Sequence, residues 1–193
     1  MELEVVNLNL SFQGRDVLSD LNLSLHSGSV YCLMGASGSG KTSFLKILMG
    51  LLEADSGFVK APLGLKIAAV FQEDRLCEEF TPIENLTMTV PGHSKELQNK
   101  AREVLLNLLP CESLSRKVTT LSGGMKRRVA IGRALWVPSD MIVMDEPFTG
   151  LDYDTKKSVI RYIKECTKDK LVIISTHQPE DATLLDGTLI SLS

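Results

Sequence analysis

The stretch Gly35-Ala36-Ser37-Gly38-Ser39-Gly40-Lys41-Thr42 constrains this chain more than any other, because it matches G-x-x-x-x-G-K-[ST] between two different apolar patterns. Before it, Val30 to Met34 is a continuous apolar run, as in a strand covered on both faces. After it, Phe44, Leu45, Leu48 and Leu51 recur at helical spacing. A strand, a glycine-rich loop and a helix in that order turn backbone N–H groups inward and add the positive end of the helix, so the loop suits phosphate. Lys41 is placed to reach the β and γ phosphates and the Thr42 hydroxyl to coordinate magnesium, with Gly35 through Ser43 lining the site. The loop specifies a nucleotide without specifying which family of phosphate-binding proteins carries it.

The same strand pattern returns at Met141 to Met144 and at Leu171 to Ser175, each followed at once by polar residues. These three runs read as central strands of a parallel sheet, whose carboxyl edge presents side chains to a ligand. Asp145 and Glu146 stand at that edge. Asp145 is expected to hold magnesium, directly or through water, and Glu146 to orient and polarise the attacking water as general base.

Elsewhere the periodicity changes. Val6, Leu8, Leu10 and Phe12 alternate with Asn7, Asn9 and Ser11, and Leu21, Leu23 and Leu25 alternate with Asn22 and Ser24. With the turn-prone Gln13 to Asp16 between them, they predict an antiparallel N-terminal sheet. Leu97, Ala101, Val104, Leu105 and Leu108 mark a second helix, and Val159, Tyr162, Ile163 and Cys166 a third. Thr81-Pro82-Ile83-Glu84 reads as a helix start, with Thr81 as cap and Glu84 reaching back. Residues 74–138 carry no strong strand pattern and read as a helical insertion, with Pro91-Gly92 as an internal turn. The expected fold is α/β, with a mainly parallel sheet, an N-terminal antiparallel subdomain and an inserted helical subdomain. Within one domain over 1–193, residues 1–73 and 139–193 form the core and 74–138 the helical part.

Composition removes several other functions. A net charge of -3 gives no general attraction to nucleic acid or anionic lipid. The Lys126, Arg127, Arg128 and Arg133 cluster, interleaved with Val129, Ile131 and Ala134, reads as a solvated helix face. Cys32, Cys77, Cys111 and Cys166 show neither zinc-ligand spacing nor a disulfide framework. No apolar run is long enough to span a bilayer, and the N-terminus lacks the pattern of a secretory leader, so a soluble cytoplasmic chain is expected.

Leu121-Ser122-Gly123-Gly124, about 80 residues after the phosphate loop and about 20 before Asp145, resembles the signature of the ABC ATPases. A serine cap, two glycines and a helix N-terminus make a compact anion site in their own right. The resemblance extends over nearly the whole chain and implies a P-loop NTPase of the ABC type. In that family the signature contacts the γ-phosphate of ATP held by a second subunit, so Ser122, Gly123 and Gly124 would serve a partner's site. Gln72 sits where the family has a glutamine that touches magnesium or the attacking water. His177 matches the switch histidine, and Thr149-Gly150-Leu151-Asp152 resembles the loop that crosses the dimer interface. Phe12 falls where an aromatic stacks on adenine, while its alternation with Leu8 and Leu10 equally suits a core position.

Two positions and the C-terminal extent depart from the family pattern. Met125 replaces a common Gln, Gln178 a common Asp, and the sequence ends at Ser193, where no regulatory C-terminal domain is expected. The resemblance implies an ATPase subunit that powers a transporter, with ATP and Mg2+ as cofactors. A second ATPase copy, permease subunits docking around Arg75 to Leu86 and a solute-binding protein are the implied partners. That places the chain at the cytoplasmic face of the cell membrane. The stretch Gln72 to Leu76 is similar to that of nitrate, sulfonate and taurine importer ATPases. The alternative, a soluble ABC ATPase acting on nucleic acid or the ribosome, typically adds a coiled coil, a zinc module or a second ATPase domain.

Overall fold

The computed structural model describes residues 1–92 and 94–192, and the chain divides into two compact units. The first comprises Met1–Ile67, Ser139–Glu146 and Thr167–Ser193, and the second Ala68–Pro138 and Pro147–Cys166. In chain order the elements begin with β1 (Glu2–Phe12), β2 (Arg15–His26), β3 (Val30–Met34), α1 (Lys41–Leu48), β4 (Ser56–Lys60) and β5 (Ile67–Val70). They continue with α2 (Pro82–Thr87), α3 (Lys95–Leu106), α4 (Gly123–Trp136), β6 (Met141–Asp145), α5 (Tyr153–Cys166), β7 (Leu171–Ser175), α6 (Pro179–Leu185) and β8 (Thr188–Ser191).

In the first unit, β2, β1 and β4 form an antiparallel sheet in that order. The alternation along β1 is not continuous. Leu3 and Val5 point inward and so do Leu8 and Leu10, so the buried set moves from odd to even positions across Val6 and Asn7. Asn7 makes that bulge by adopting a left-handed φ of 45°. Its N–H donates to Asn22 Oδ1 (2.9 Å) and its Nδ2 to Asp20 Oδ1 (2.6 Å), while Asp20 itself sits at φ 46°. Val6 is therefore half-buried instead of leading the inward face. Phe12, opposite Arg15 at the hairpin end, is 48% exposed, which removes the core reading of that ring.

Strands β6, β7, β3 and β8 run parallel in that order, with Met141 opposite Leu171, Val30 opposite Val172 and Asp145 opposite Ser175. β6 and β7 are buried at every residue, as continuous apolar runs require. Phe44, Leu45 and Leu48 of α1 share one core with Leu33, Met141, Val143, Leu171 and Ile173, and with Leu3, Val5, Leu8 and Leu10 of the antiparallel sheet. Each such Leu or Phe contributes about 1.5–3 kcal/mol by leaving water, so this shared core binds both sheets into one unit. Leu51, expected on the same helix face, is exposed because α1 ends at Leu48 and Gly50 turns the chain at φ 68°.

The second unit is mostly helical. α2 starts with a complete capping box: Thr81 N–H donates to Glu84 Oε2 (2.7 Å), and Glu84 N–H donates to Thr81 Oγ1 (3.3 Å). Ser94 and Ser122 cap α3 and α4 by accepting from Leu97 N (3.1 Å) and Met125 N (3.3 Å). Leu105 and Leu108 lie buried against α4. Gly132 eases the approach, since a Cβ there would stand 3.0 Å from Leu108 Cδ1. Asn85, fully buried in α2, ties down the segment before it by donating to the carbonyls of Cys77 and Thr81 and accepting from Cys77 N–H.

Candidate active site

The phosphate loop closes β3 and opens α1 in the first unit. Gly38 and Gly40 hold φ angles of 84° and 87°. At Gly40 a Cβ would also meet Val17 Cγ1 at 2.7 Å, so glycine is required on both grounds. Lys41 is buried, and its Nζ donates to the carbonyls of Gly35 (2.7 Å) and Ala36 (2.9 Å) across the loop. Ala36, Ser37 and Gly38 are exposed, while Ser43 is half-buried. Ser39 Oγ is buried with no hydrogen-bond partner among the described residues, an orphaned donor inside an anion-binding loop.

The carboxylates meet this loop from β6. Thr42 Oγ1 donates to Asp145 Oδ2 at 2.7 Å, although 103 positions separate the two in sequence. This is an oxygen-only donor set of the kind hard divalent cations take, so Thr42 and Asp145 fit magnesium. Glu146 leaves the strand at φ 48°, a left-handed conformation costing of order 1–3 kcal/mol in a side-chain-bearing residue. Its Oε1 accepts from His177 Nε2 at 2.6 Å. The structure thus gathers Lys41, Thr42, Asp145, Glu146 and His177 in one unit.

Sequence reasoning missed two groups that hold these residues. Ser175 donates to Asp145 Oδ1 (2.5 Å) and accepts from Glu146 N–H (2.9 Å). Thr176 donates to the buried Asp181 and accepts from Gln178 N–H (3.1 Å), bracing the turn that carries His177. A hydroxyl closing an apolar run was the only available signal. Within β3 and beside α6, the Cys32 thiol is pushed up to about 11 by burial and by the charge of Asp181.

Gln72, Ser122, Gly123 and Gly124 belong to the second unit. Gln72 is exposed on a segment held by its backbone. Arg127 Nη1 donates to the carbonyls of Phe71 (2.5 Å) and Gln72 (3.3 Å) and to Asp74 Oδ1 (3.0 Å), and its Nε to the Pro147 carbonyl (3.3 Å). Arg133 continues the clamp on the carbonyls of Asp74 (3.0 Å) and Arg75 (2.7 Å). Burial lowers the Arg133 guanidinium below its ordinary value.

The solvated-face reading of the basic cluster is therefore wrong for Arg127, which is 4% exposed. Its helical periodicity looked like a wet face because its partners are backbone carbonyls, which a sequence does not display. At Gly124 a Cβ would lie 3.1 Å from the Gly150 carbonyl and 3.3 Å from Leu151 Cδ2, so this glycine lets the neighbouring Thr149–Asp152 loop approach closely. At Gly123 a Cβ would meet nothing within 4 Å among the described residues.

The family model described as ABC transporter matches residues 18–149. The chain is 30% identical over 211 residues to the sulfate/thiosulfate import ATP-binding protein CysA of Escherichia coli (strain K12), covering 100% of this chain and 58% of that protein. It is 34% identical over 201 residues to the protein of the same name from Halalkalibacterium halodurans, covering 94% of this chain and 56% of that one. The chain thus spans somewhat over half the length of the curated relatives it matches. In fold it is similar to the ATP-binding cassette MJ0796 in a dimeric post-hydrolysis state bound to ADP and Pi, with a TM-score of 0.88 and 27% identity over 99% of this chain and 94% of that one.

Proposed function

Because this chain belongs to the ABC transporter ATP-binding family, whose model spans residues 18–149, we propose that it binds and hydrolyses ATP to power a membrane transporter. The observation that carries this reading is the contact of Thr42 with Asp145 beside the Glu146–His177 pair. In one constellation it supplies a phosphate loop, a carboxylate for the cation and a base aimed by a left-handed turn.

In this reading Lys41 turns from the loop carbonyls to the β and γ phosphates, and Ser39 Oγ finds its partner on a phosphate oxygen. Thr42, Asp145 and Gln72 would hold magnesium, whose charge would offset that developing on the phosphate. Glu146 takes the proton of the attacking water, and His177, bonded to the same carboxylate, orients it and contacts the γ-phosphate. Phe12, exposed at the end of β1, is free to stack on adenine.

Ser122, Gly123 and Gly124 are proposed to close over ATP held by a second copy. Gly123 supports this, since among the described residues a Cβ there would meet nothing within 4 Å. Loss of the γ-phosphate then weakens the ATP-bridged dimer and converts hydrolysis into motion. Among the described residues no helix is long and apolar enough to cross a membrane. Permease subunits would supply the pathway, placing the chain on the cytoplasmic face of the membrane, and an importer would add a solute-binding protein. The relatives named for sulfate and thiosulfate import favour an importer. The narrower nitrate, sulfonate and taurine type rests on Gln72 to Leu76 alone. The division into a nucleotide core of 1–73 and 139–193 and a helical part of 74–138 remains our functional assignment.

Glu146→Gln tests the central step. We expect phosphate release to fall by roughly 10²–10⁴-fold and an ATP-bound dimer to accumulate in size-exclusion chromatography. Unchanged turnover would remove Glu146 as the base.

A further inference from the structure

We propose that Ser175 is a positioning residue that sets the Asp145 carboxylate and the Glu146 main chain relative to each other; the inference rests on the ATPase reading above. Ser175 is 0% exposed at the end of β7, in a run whose other members are Leu171, Val172, Ile173 and Ile174. A hydroxyl buried in such a strand is unfavourable unless bonded. Here its bonds go to two successive site residues: it donates to Asp145 Oδ1 (2.5 Å) and accepts from Glu146 N–H (2.9 Å).

Register explains why one small side chain reaches both. Asp145 lies directly opposite Ser175 in the parallel pair, and Leu33, two residues before the phosphate loop, lies opposite on the other side. With Oδ1 held by Ser175, Asp145 presents Oδ2 to Thr42 at 2.7 Å, which fixes the carboxylate's rotation. The bond to Glu146 N–H falls at the residue with φ 48°, so the same hydroxyl supports the turn that aims the base. Val or Ala would satisfy the strand's packing but could do neither. Groups that orient a cation's ligands without touching the cation typically influence its affinity and the reaction by 10–100-fold.

The test is Ser175→Ala, with Ser175→Thr as the variant that keeps a hydroxyl. Binding of Mn2+ to the ATP-bound protein is followed by electron paramagnetic resonance, alongside phosphate release and metal-free binding of a fluorescent ATP analogue. Ser175→Ala should raise the Mn2+ half-saturation about tenfold and lower kcat by a similar factor, leaving metal-free nucleotide affinity unchanged. Ser175→Thr should recover most of both. An Ala variant with wild-type Mn2+ affinity and kcat overturns the proposal, as does a Thr variant as impaired as Ala. An equal loss of metal-free nucleotide binding would show a merely structural role and also overturns it. Wild-type protein that releases no phosphate would defeat the ATPase reading instead, while the Mn2+ titration still decides the role of Ser175.

Discussion

The two units hold their functional residues by opposite means. In the first, Asp145, Glu146 and His177 follow the ends of strands whose backbone ladder is complete, and short side-chain bonds only trim their aim. In the second, Gln72 lies on an exposed segment whose carbonyls are taken by the guanidinium groups of Arg127 and Arg133. A ladder positions side chains through register, whereas a guanidinium clamp positions backbone through charge-assisted bonds. The first arrangement is expected to keep its sheet when one polar partner is lost, because the ladder does not depend on it. The second concentrates its order in one or two side chains.

Arg127→Leu should break that asymmetry most severely. Removing a buried cation that serves three carbonyls and Asp74 is expected to cost about 3–5 kcal/mol in urea unfolding. Amide exchange should rise at residues 71–75 while β6 and β7 stay protected; uniform protection would refute the clamp.

A smaller contrast separates neighbouring glycines. Gly124→Ala pushes a methyl against the Gly150 carbonyl and Leu151 and should cost about 1–3 kcal/mol. Gly123→Ala faces open space and should be neutral or stabilising by up to about 1 kcal/mol, since alanine favours helix. Equal effects in thermal unfolding would erase the distinction between a glycine needed by its own chain and one that is not.

The smallest effect concerns the parallel sheet. Cys32 is fully buried and its thiol is raised from 9.0 to about 11, so the folded state keeps a proton that the unfolded chain loses. Stability from this group is complete below pH 9 and declines as pH rises through 11. Wild type should therefore lose stability relative to Cys32→Ala over that interval. Parallel pH profiles of the two proteins would contradict it.

Legibility followed the same divide. The strand-end carboxylates could be read because the apolar run Met141 to Met144 stops abruptly at Asp145 and marks the carboxyl edge of a parallel sheet, where ligands bind, whereas His177 was legible through the family resemblance. The ends of the capping box at Thr81 and Glu84 were legible because both partners lie three residues apart. The Arg127 clamp was hidden because its acceptors lie up to 56 positions away and are main-chain oxygens. Ser175 was hidden by sitting where small polar residues often close a strand. The slip at Asn7 escaped notice because alternation resumes on the other parity after one left-handed residue.

The left-handed turn at Glu146 also bears on which residue suits that position. Foldability alone favours Gly or Asn there, since either relaxes the backbone. Either replacement would relax the backbone while removing the carboxylate. A carboxylate kept in that conformation therefore trades backbone ease for chemistry at the strand end.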